Sequence, residues 1–97
     1  MDKCKYLELF SVYKGLLTEN QADVFSLYVE CDLSLKEIAE IKLISRQGVS
    51  DTINKTKEIL QNYESKLKLL YKREKLNKIK DLLDGELKDE LIKILEE

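Results

Sequence analysis

Histidine and proline are absent from this 97-residue chain, glycine occurs three times and cysteine twice. No apolar run approaches the roughly 18 residues of a membrane span. Each shortage removes a class of function. Without histidine there is no Ser/His or Cys/His nucleophile, no histidine metal site, and none of the commonest general base. Gly15, Gly48 and Gly85 stand far apart, so neither a phosphate-binding loop nor a dinucleotide fingerprint is present. Cys4 and Cys31 lack the short spacing of a metal or redox pair and are expected as reduced thiols. The amino end runs from Met1 into a periodic segment without a signal-like apolar stretch, which points to a cytoplasmic protein. No cofactor, metal or membrane contact is expected, and no enzymatic activity.

What remains abundant is leucine, lysine and glutamate, a helix-forming composition without proline to interrupt it. Apolar residues make up 43% and charged residues 37%, enough to bury one core and remain solvated. The chain reads as an all-α single domain over residues 1–97. Residues 1–54 form a helical unit, and residues 55–97 an extended helix followed by a short terminal one.

A first helix is expected from about Lys3 to Leu16, with Leu7, Phe10, Tyr13 or Lys14, and Leu17 at helical spacing. Thr18 and Gln21 have the spacing of a capping box, and Val24, Phe25, Leu27, Tyr28 and Cys31 would form the inward face of the helix they open. Ser34 and Glu37 repeat the device for a helix from Leu35 to about Lys42, with Leu35, Ile38, Ala39 and Ile41 inward. Ser45 caps a fourth helix on which Val49 and Ile53 point the same way. From Ser45 to Leu83 the only glycine is Gly48, so one long helix is the preferred reading, with two helices meeting near Tyr63–Ser65 as the alternative. Ile53, Leu60 and Leu67, beside Thr56, Tyr63 and Leu70, make a coiled-coil-like seam. A displaced series, Leu69, Leu76 and Leu83, argues against one straight coiled coil. Asp84-Gly85 stops the helix, and Leu87, Leu91 and Leu95 recur after it.

Charge is segregated. Residues 1–51 hold 6 basic and 9 acidic groups, residues 52–80 hold 9 and 3, and residues 81–97 hold 2 and 7, so the overall −2 conceals a basic arm of +6 between acidic flanks. The arm is either a solvated helix face or a contact for phosphates or an acidic partner. Acidic pairs such as Glu37 with Glu40 follow from composition and give no reason to expect a catalytic site. Tyr6, Tyr13 and Tyr28 fall at core-facing spacing. Tyr63 and Tyr71 lie on the arm, where seam packing and base stacking are both open to them.

The segment Ser34–Ile53 carries the most specific signal, a helix-turn-helix. Ala39 stands at the close approach of the two helices, Ile38 and Ile44 pack the hinge, and Ser45 starts the second helix. Its outward residues would be Arg46, Gln47, Ser50 and Asn54, side chains able to meet base edges in a major groove. Lys55, Lys57, Lys66, Lys68, Lys72 and Arg73 could supply phosphate contacts. Within residues 34–54, however, three basic groups are offset by three acidic ones, so an αα-hairpin that binds no nucleic acid is the competing reading.

Leu16-Leu17-Thr18 with Gln21, Leu27-Tyr28, Asp32 to Leu35 with Glu37 to Glu40, Ser45-Arg46-Gln47 with Val49 and Asp51, and Tyr63-Glu64 with Lys66-Leu67 resemble the bacterial YlxM family. The resemblance spans about Leu16 to Leu70. It implies a small all-helical protein with a helix-turn-helix like region 4 of RNA polymerase sigma factors. It also implies a regulatory role, through DNA or through the RNA or GTPase of the signal recognition particle. Three positions depart from the family pattern: Leu43 where the turn commonly has Gly or Asn, Gly48 for alanine, and Ser50 for tyrosine. The rival to nucleic-acid binding is a protein-interaction module whose 53–83 helix forms a homodimer or docks on the particle's GTPase.

Overall fold

The computed structural model describes residues 3–83 and 85–96, so the expected stop at Asp84 lies outside the described residues. The fold is all-helical. Helix α1 runs Lys3–Tyr13 and passes into a 3₁₀ turn, Lys14–Leu16. After it come α2 (Glu19–Val29), α3 (Leu35–Lys42), α4 (Arg46–Leu67), α5 (Leu69–Lys80) and α6 (Gly85–Glu96).

Local chemistry sets the helix starts. The Thr18 hydroxyl accepts from the Gln21 amide at 3.1 Å while Gln21 accepts from the Thr18 amide at 3.1 Å. Ser34 and Glu37 form the same reciprocal pair at 3.1 and 3.0 Å. Each box satisfies two amides that a helix end leaves without partners. Two helices end on a left-handed residue that is not glycine, Leu43 (φ 57°) at α3 and Lys68 (φ 53°) at α4, and a third such residue, Asp32 (φ 54°), lies in the loop after α2. Gly85, at φ 60°, enters α6 in the conformation glycine adopts without a Cβ penalty.

The core lies between α1, α2, α3 and the first four turns of α4. Tyr6, Leu9, Phe10 and Tyr13 enter it from α1, Val24, Phe25 and Val29 from α2, Ile38 and Ala39 from α3, and Val49, Ile53 and Leu60 from α4. Phe25 is at its centre, edge-on to Tyr6 at 6.2 Å and tilted against Phe10 at 5.6 Å. Thr56 is buried among these apolar groups, with its hydroxyl donating to the Thr52 carbonyl at 2.7 Å. Several expected inward positions are corrected. Cys31 is exposed because α2 ends at Val29 and the chain turns out through Asp32; Ile41 and Ile44 are exposed because α3 ends one residue past Ile41; Leu7 is exposed and Leu9 takes its place.

The stretch after Ser45 is not one helix. It breaks at Lys68, three residues beyond the alternative junction. The break turns Leu70 into the core, and Glu64 and Tyr13 hold it there. Glu64 Oε1 accepts from the Tyr13 hydroxyl at 2.5 Å and the Leu70 amide at 3.1 Å, and Oε2 accepts from the Tyr71 amide at 3.1 Å. The Tyr13 oxygen in turn accepts from the Leu69 amide at 3.0 Å. Thus the free amides of the first turn of α5, which lacks a side-chain cap of its own at Lys68, find acceptors on α4 and α1. Of the expected coiled-coil seam, Ile53, Thr56, Leu60 and Leu70 are spent inside the molecule, Tyr63 is half-buried and Leu67 is exposed.

Beyond Leu70 the structure thins. Helix α6 packs on α5 and buries no residue fully. The radius of gyration is 16.5 Å, against about 13 Å for a compact chain of this length, and the principal extents are 53 × 24 × 22 Å. The α5–α6 hairpin extends from the core.

Candidate nucleic-acid interface

The turn between α3 and α4 fixes the recognition end. Leu43 adopts the left-handed turn conformation despite its side chain, a strain of about 1–2 kcal/mol. The Ile44 amide donates to the Ala39 carbonyl at 3.2 Å and closes the end of α3. Ser45 Oγ then accepts from the Gly48 amide at 2.9 Å, so α4 begins with Arg46 in solvent. A methyl group at Gly48 would stand 3.2 Å from that same Oγ, a tight contact that glycine relieves.

Of the four expected base-reading residues, Arg46, Gln47 and Asn54 are exposed and Ser50 is half-buried. Gln47 Nε2 donates to Asp51 Oδ1 at 2.9 Å, so its amide is held along the helix rather than free. The outermost stripe of α4, Gln47, Asp51, Asn54 and Glu58, is exposed and carries two carboxylates beside Lys55. Elsewhere in the unit Lys42 is drawn to Asp23 at 3.6 Å. This end is polar, not strongly positive.

The basic residues do not converge on it. Lys57 is half-buried, with its ammonium 5.1 Å from the Tyr6 ring centroid and 5.4 Å from that of Tyr28, a cation–π position on the α1–α2 side. Lys57 is thereby removed from the expected phosphate contacts. Lys66, Lys68, Lys72 and Arg73 are exposed around the α4–α5 joint. Twenty residues of helix separate Arg46 from Lys66, about 30 Å. The expected site is therefore two sites: a recognition end and a basic joint.

Sequence reasoning missed the apolar surface at the turn. Leu43 is 89% exposed, and Ile41 and Ile44 flank it in solvent. The signal was present in Ile41 through Ile44, which holds three apolar residues among four where α3 ends. It missed the joint too, where Tyr13 stacks on Tyr63 with ring centroids 5.8 Å apart and a cavity lined by Glu64, Lys68 and Tyr71 opens beside them. Burial, followed by the bond to Glu64, pushes the Tyr13 hydroxyl above the ordinary tyrosine range. Hydrogen bonds from the Ser34 amide and hydroxyl hold the Glu37 carboxyl below the ordinary carboxylate range, and Lys3 at 2.6 Å does the same for Asp32. Among the described residues no three His, Cys, Asp or Glu side chains are placed to hold a metal ion. No helix among them is long and apolar enough to cross a membrane.

A short helix joined through a left-handed residue to a second one whose N-terminus stands in solvent defines a helix-turn-helix protein. Over residues 1–97 the chain matches the model of UPF0122, described as "Putative helix-turn-helix protein, YlxM / p13 like", and it belongs to that family. It is 45% identical over 91 residues to UPF0122 protein YlxM of Bacillus subtilis, covering 90% of this chain and 83% of that one. It is 45% identical over 93 residues to a UPF0122 protein of Halalkalibacterium halodurans (91% and 85% covered), and 49% identical over 69 residues to one of Mycoplasma capricolum (71% and 61% covered).

Proposed function

We propose that the protein is a non-enzymatic regulator that binds nucleic acid through the start of α4 and the basic α4–α5 joint. The observation that carries this reading is the helix-turn-helix end itself: Arg46 opens the second helix in solvent, in no ion pair among the described residues, with Gln47 and Asn54 beside it. Arg46 suits a guanine edge, and Gln47 or Asn54 an adenine edge, with Ser50 at the margin. Lys55 near the recognition end, and Lys66, Lys68, Lys72 and Arg73 at the joint, contact phosphates. The about 30 Å between the two groups is close to the roughly 34 Å repeat of a duplex, so one duplex turn can reach both. The likeness to the YlxM family extends this to a regulatory part in the signal recognition particle pathway.

Fluorescence anisotropy against labelled duplex DNA and against the particle's RNA, across salt, tests the proposal. Binding should weaken linearly in log–log terms as salt rises. Replacing Lys68, Lys72 and Arg73 together by alanine should flatten the slope by about 2 to 3 units, while Arg46→Ala should cost about 1–3 kcal/mol of affinity and leave the slope nearly unchanged. Absence of salt-dependent binding to either nucleic acid sinks it.

A second reading rests on Leu43. A leucine held in a strained conformation and 89% in solvent, flanked by Ile41 and Ile44, favours a protein surface over phosphates as the partner of the turn. Docking on the particle's GTPase is the form this takes. A pull-down in which Leu43→Ser abolishes capture of the GTPase, with nucleic-acid binding intact, would select it.

A further inference from the structure

The α5–α6 hairpin is amphipathic on two sides, and the protein itself covers only one. Leu91 and Leu95 of α6 are half-buried against α5, as Leu76 of α5 is against α6. Leu87 and Ile94 are 65% and 62% exposed, and Ile79 and Leu82 are also in solvent. At about 100° per residue, Leu87 and Ile94 stand roughly a quarter turn from the α5-facing residues of α6. Ile79 stands roughly a quarter turn from the α6-facing residues of α5, and Leu82 follows it in the connection, its amide bonded to the Ile79 carbonyl at 2.9 Å. Helices α5 and α6 are close in sequence and pack on each other as an antiparallel αα-hairpin, so both rotations open on the same side. That is the geometry of half a four-helix bundle, in which each helix meets two neighbours about 90° apart.

Charge indicates what the other half is. Helix α5 carries five basic residues and one acidic, and α6 four acidic and two basic. Lys75 and Lys78 border the open side on α5; Glu86 and Glu90 border it on α6. None of the four is in an ion pair among the described residues. Lys75 lies five residues before the end of α5 and Glu90 five after the start of α6, so they are level along the hairpin.

We propose that the open side of the hairpin pairs with a second copy of this chain into an antiparallel four-helix bundle, α5 of each copy lying on α6 of the other. A two-fold axis parallel to the helices sets Lys75 opposite the partner's Glu90 and Lys78 opposite the partner's Glu86. It also leaves both helix-turn-helix units at the same end of the bundle. The perpendicular axis would set basic α5 on basic α5 and separate the units to opposite ends, so charge selects the first. The pairing stands on the hairpin alone, independent of nucleic-acid binding.

Sedimentation equilibrium of the full chain tests it. The unaltered protein should be a dimer at micromolar concentration. A Leu87→Ser, Ile94→Ser double variant should dissociate at least about tenfold more readily with its helical circular dichroism retained, since neither residue contributes to the core. Two charge-reversed chains give the orientation: one with Glu86→Lys and Glu90→Lys, the other with Lys75→Glu and Lys78→Glu. Each alone should be weakened as a homodimer, and mixing them should restore a heterodimer. A monomer up to millimolar concentration overturns the proposal, as does a dimer indifferent to Leu87→Ser and Ile94→Ser. A mixture of the charge-reversed chains that fails to pair, beside an unaltered chain that does, overturns the assigned axis.

Discussion

Phe25 and Leu87 are both large apolar residues on amphipathic helices, and their surroundings could hardly differ more. Phe25 has no solvent exposure and three aromatic rings within 6.2 Å; Leu87 is 65% exposed on a helix that buries nothing fully. Between them lies Lys68. On its amino side four helices share one core, and on its carboxyl side Leu70 alone reaches into that core. The contrast teaches that an amphipathic pattern states only that a helix wants cover. In α2 the cover is supplied by the same chain, and in α6 it is mostly missing, which is why α2 reads as scaffold and α6 as surface for another molecule.

The sharpest way to break this contrast is to truncate both residues and compare urea unfolding. Phe25→Ala should cost about 3–5 kcal/mol by leaving a cavity among Tyr6, Phe10 and Tyr28. Leu87→Ala, measured under dilute conditions, should stay within about 0.5 kcal/mol. Equal losses would mean that the hairpin belongs to the core after all.

Much of this division is legible in the sequence, and the part that is not has a common cause. Thr18 with Gln21, Ser34 with Glu37, and Ser45 announce their helices because a cap is a contact across three residues. Tyr6 and Tyr13 are buried, as their core-facing spacing announced. The break at Lys68 has no such mark. A lysine takes the left-handed position, and what turns the chain there is the Tyr13 hydroxyl, 51 residues before the Glu64 carboxylate it meets. At the candidate site Arg46, Gln47 and Asn54 are where their spacing put them. Lys57 is not, because the tyrosines that hold it come from α1 and α2.

A smaller effect should follow from loosening the boundary itself. Glu64→Ala removes the acceptor of the Leu70 and Tyr71 amides and of the Tyr13 hydroxyl. It should cost about 1–3 kcal/mol. Limited trypsin digestion should then cut at Lys68 and Lys72 at least about fivefold faster, if the core stays closed while α5 opens.

The smallest effect belongs to the amino-terminal unit and is read as a pH profile. Ser34→Ala should lower stability by about 1 kcal/mol at neutral pH through loss of the cap on α3. The bonds from Ser34 hold the Glu37 carboxyl below its unfolded value, so their contribution is complete above the ordinary carboxylate range and is lost as pH falls through the lowered value. The bond from the Ser34 amide survives the substitution, so only the share of the difference that the hydroxyl adds at the carboxylate should narrow in acid. A gap independent of pH would separate the hydroxyl cap from the carboxylate it faces.

The cluster of Tyr13, Glu64 and Lys68 also sets how many cooperative units the molecule contains. Hydrogen exchange should divide the chain there: amides of α6 and the outer half of α5 should exchange through an opening that leaves Val24 and Ile53 protected, while the latter wait for global unfolding. A single melting temperature then describes only the first four helices, and whatever binds the hairpin can raise the stability of one unit without touching the other.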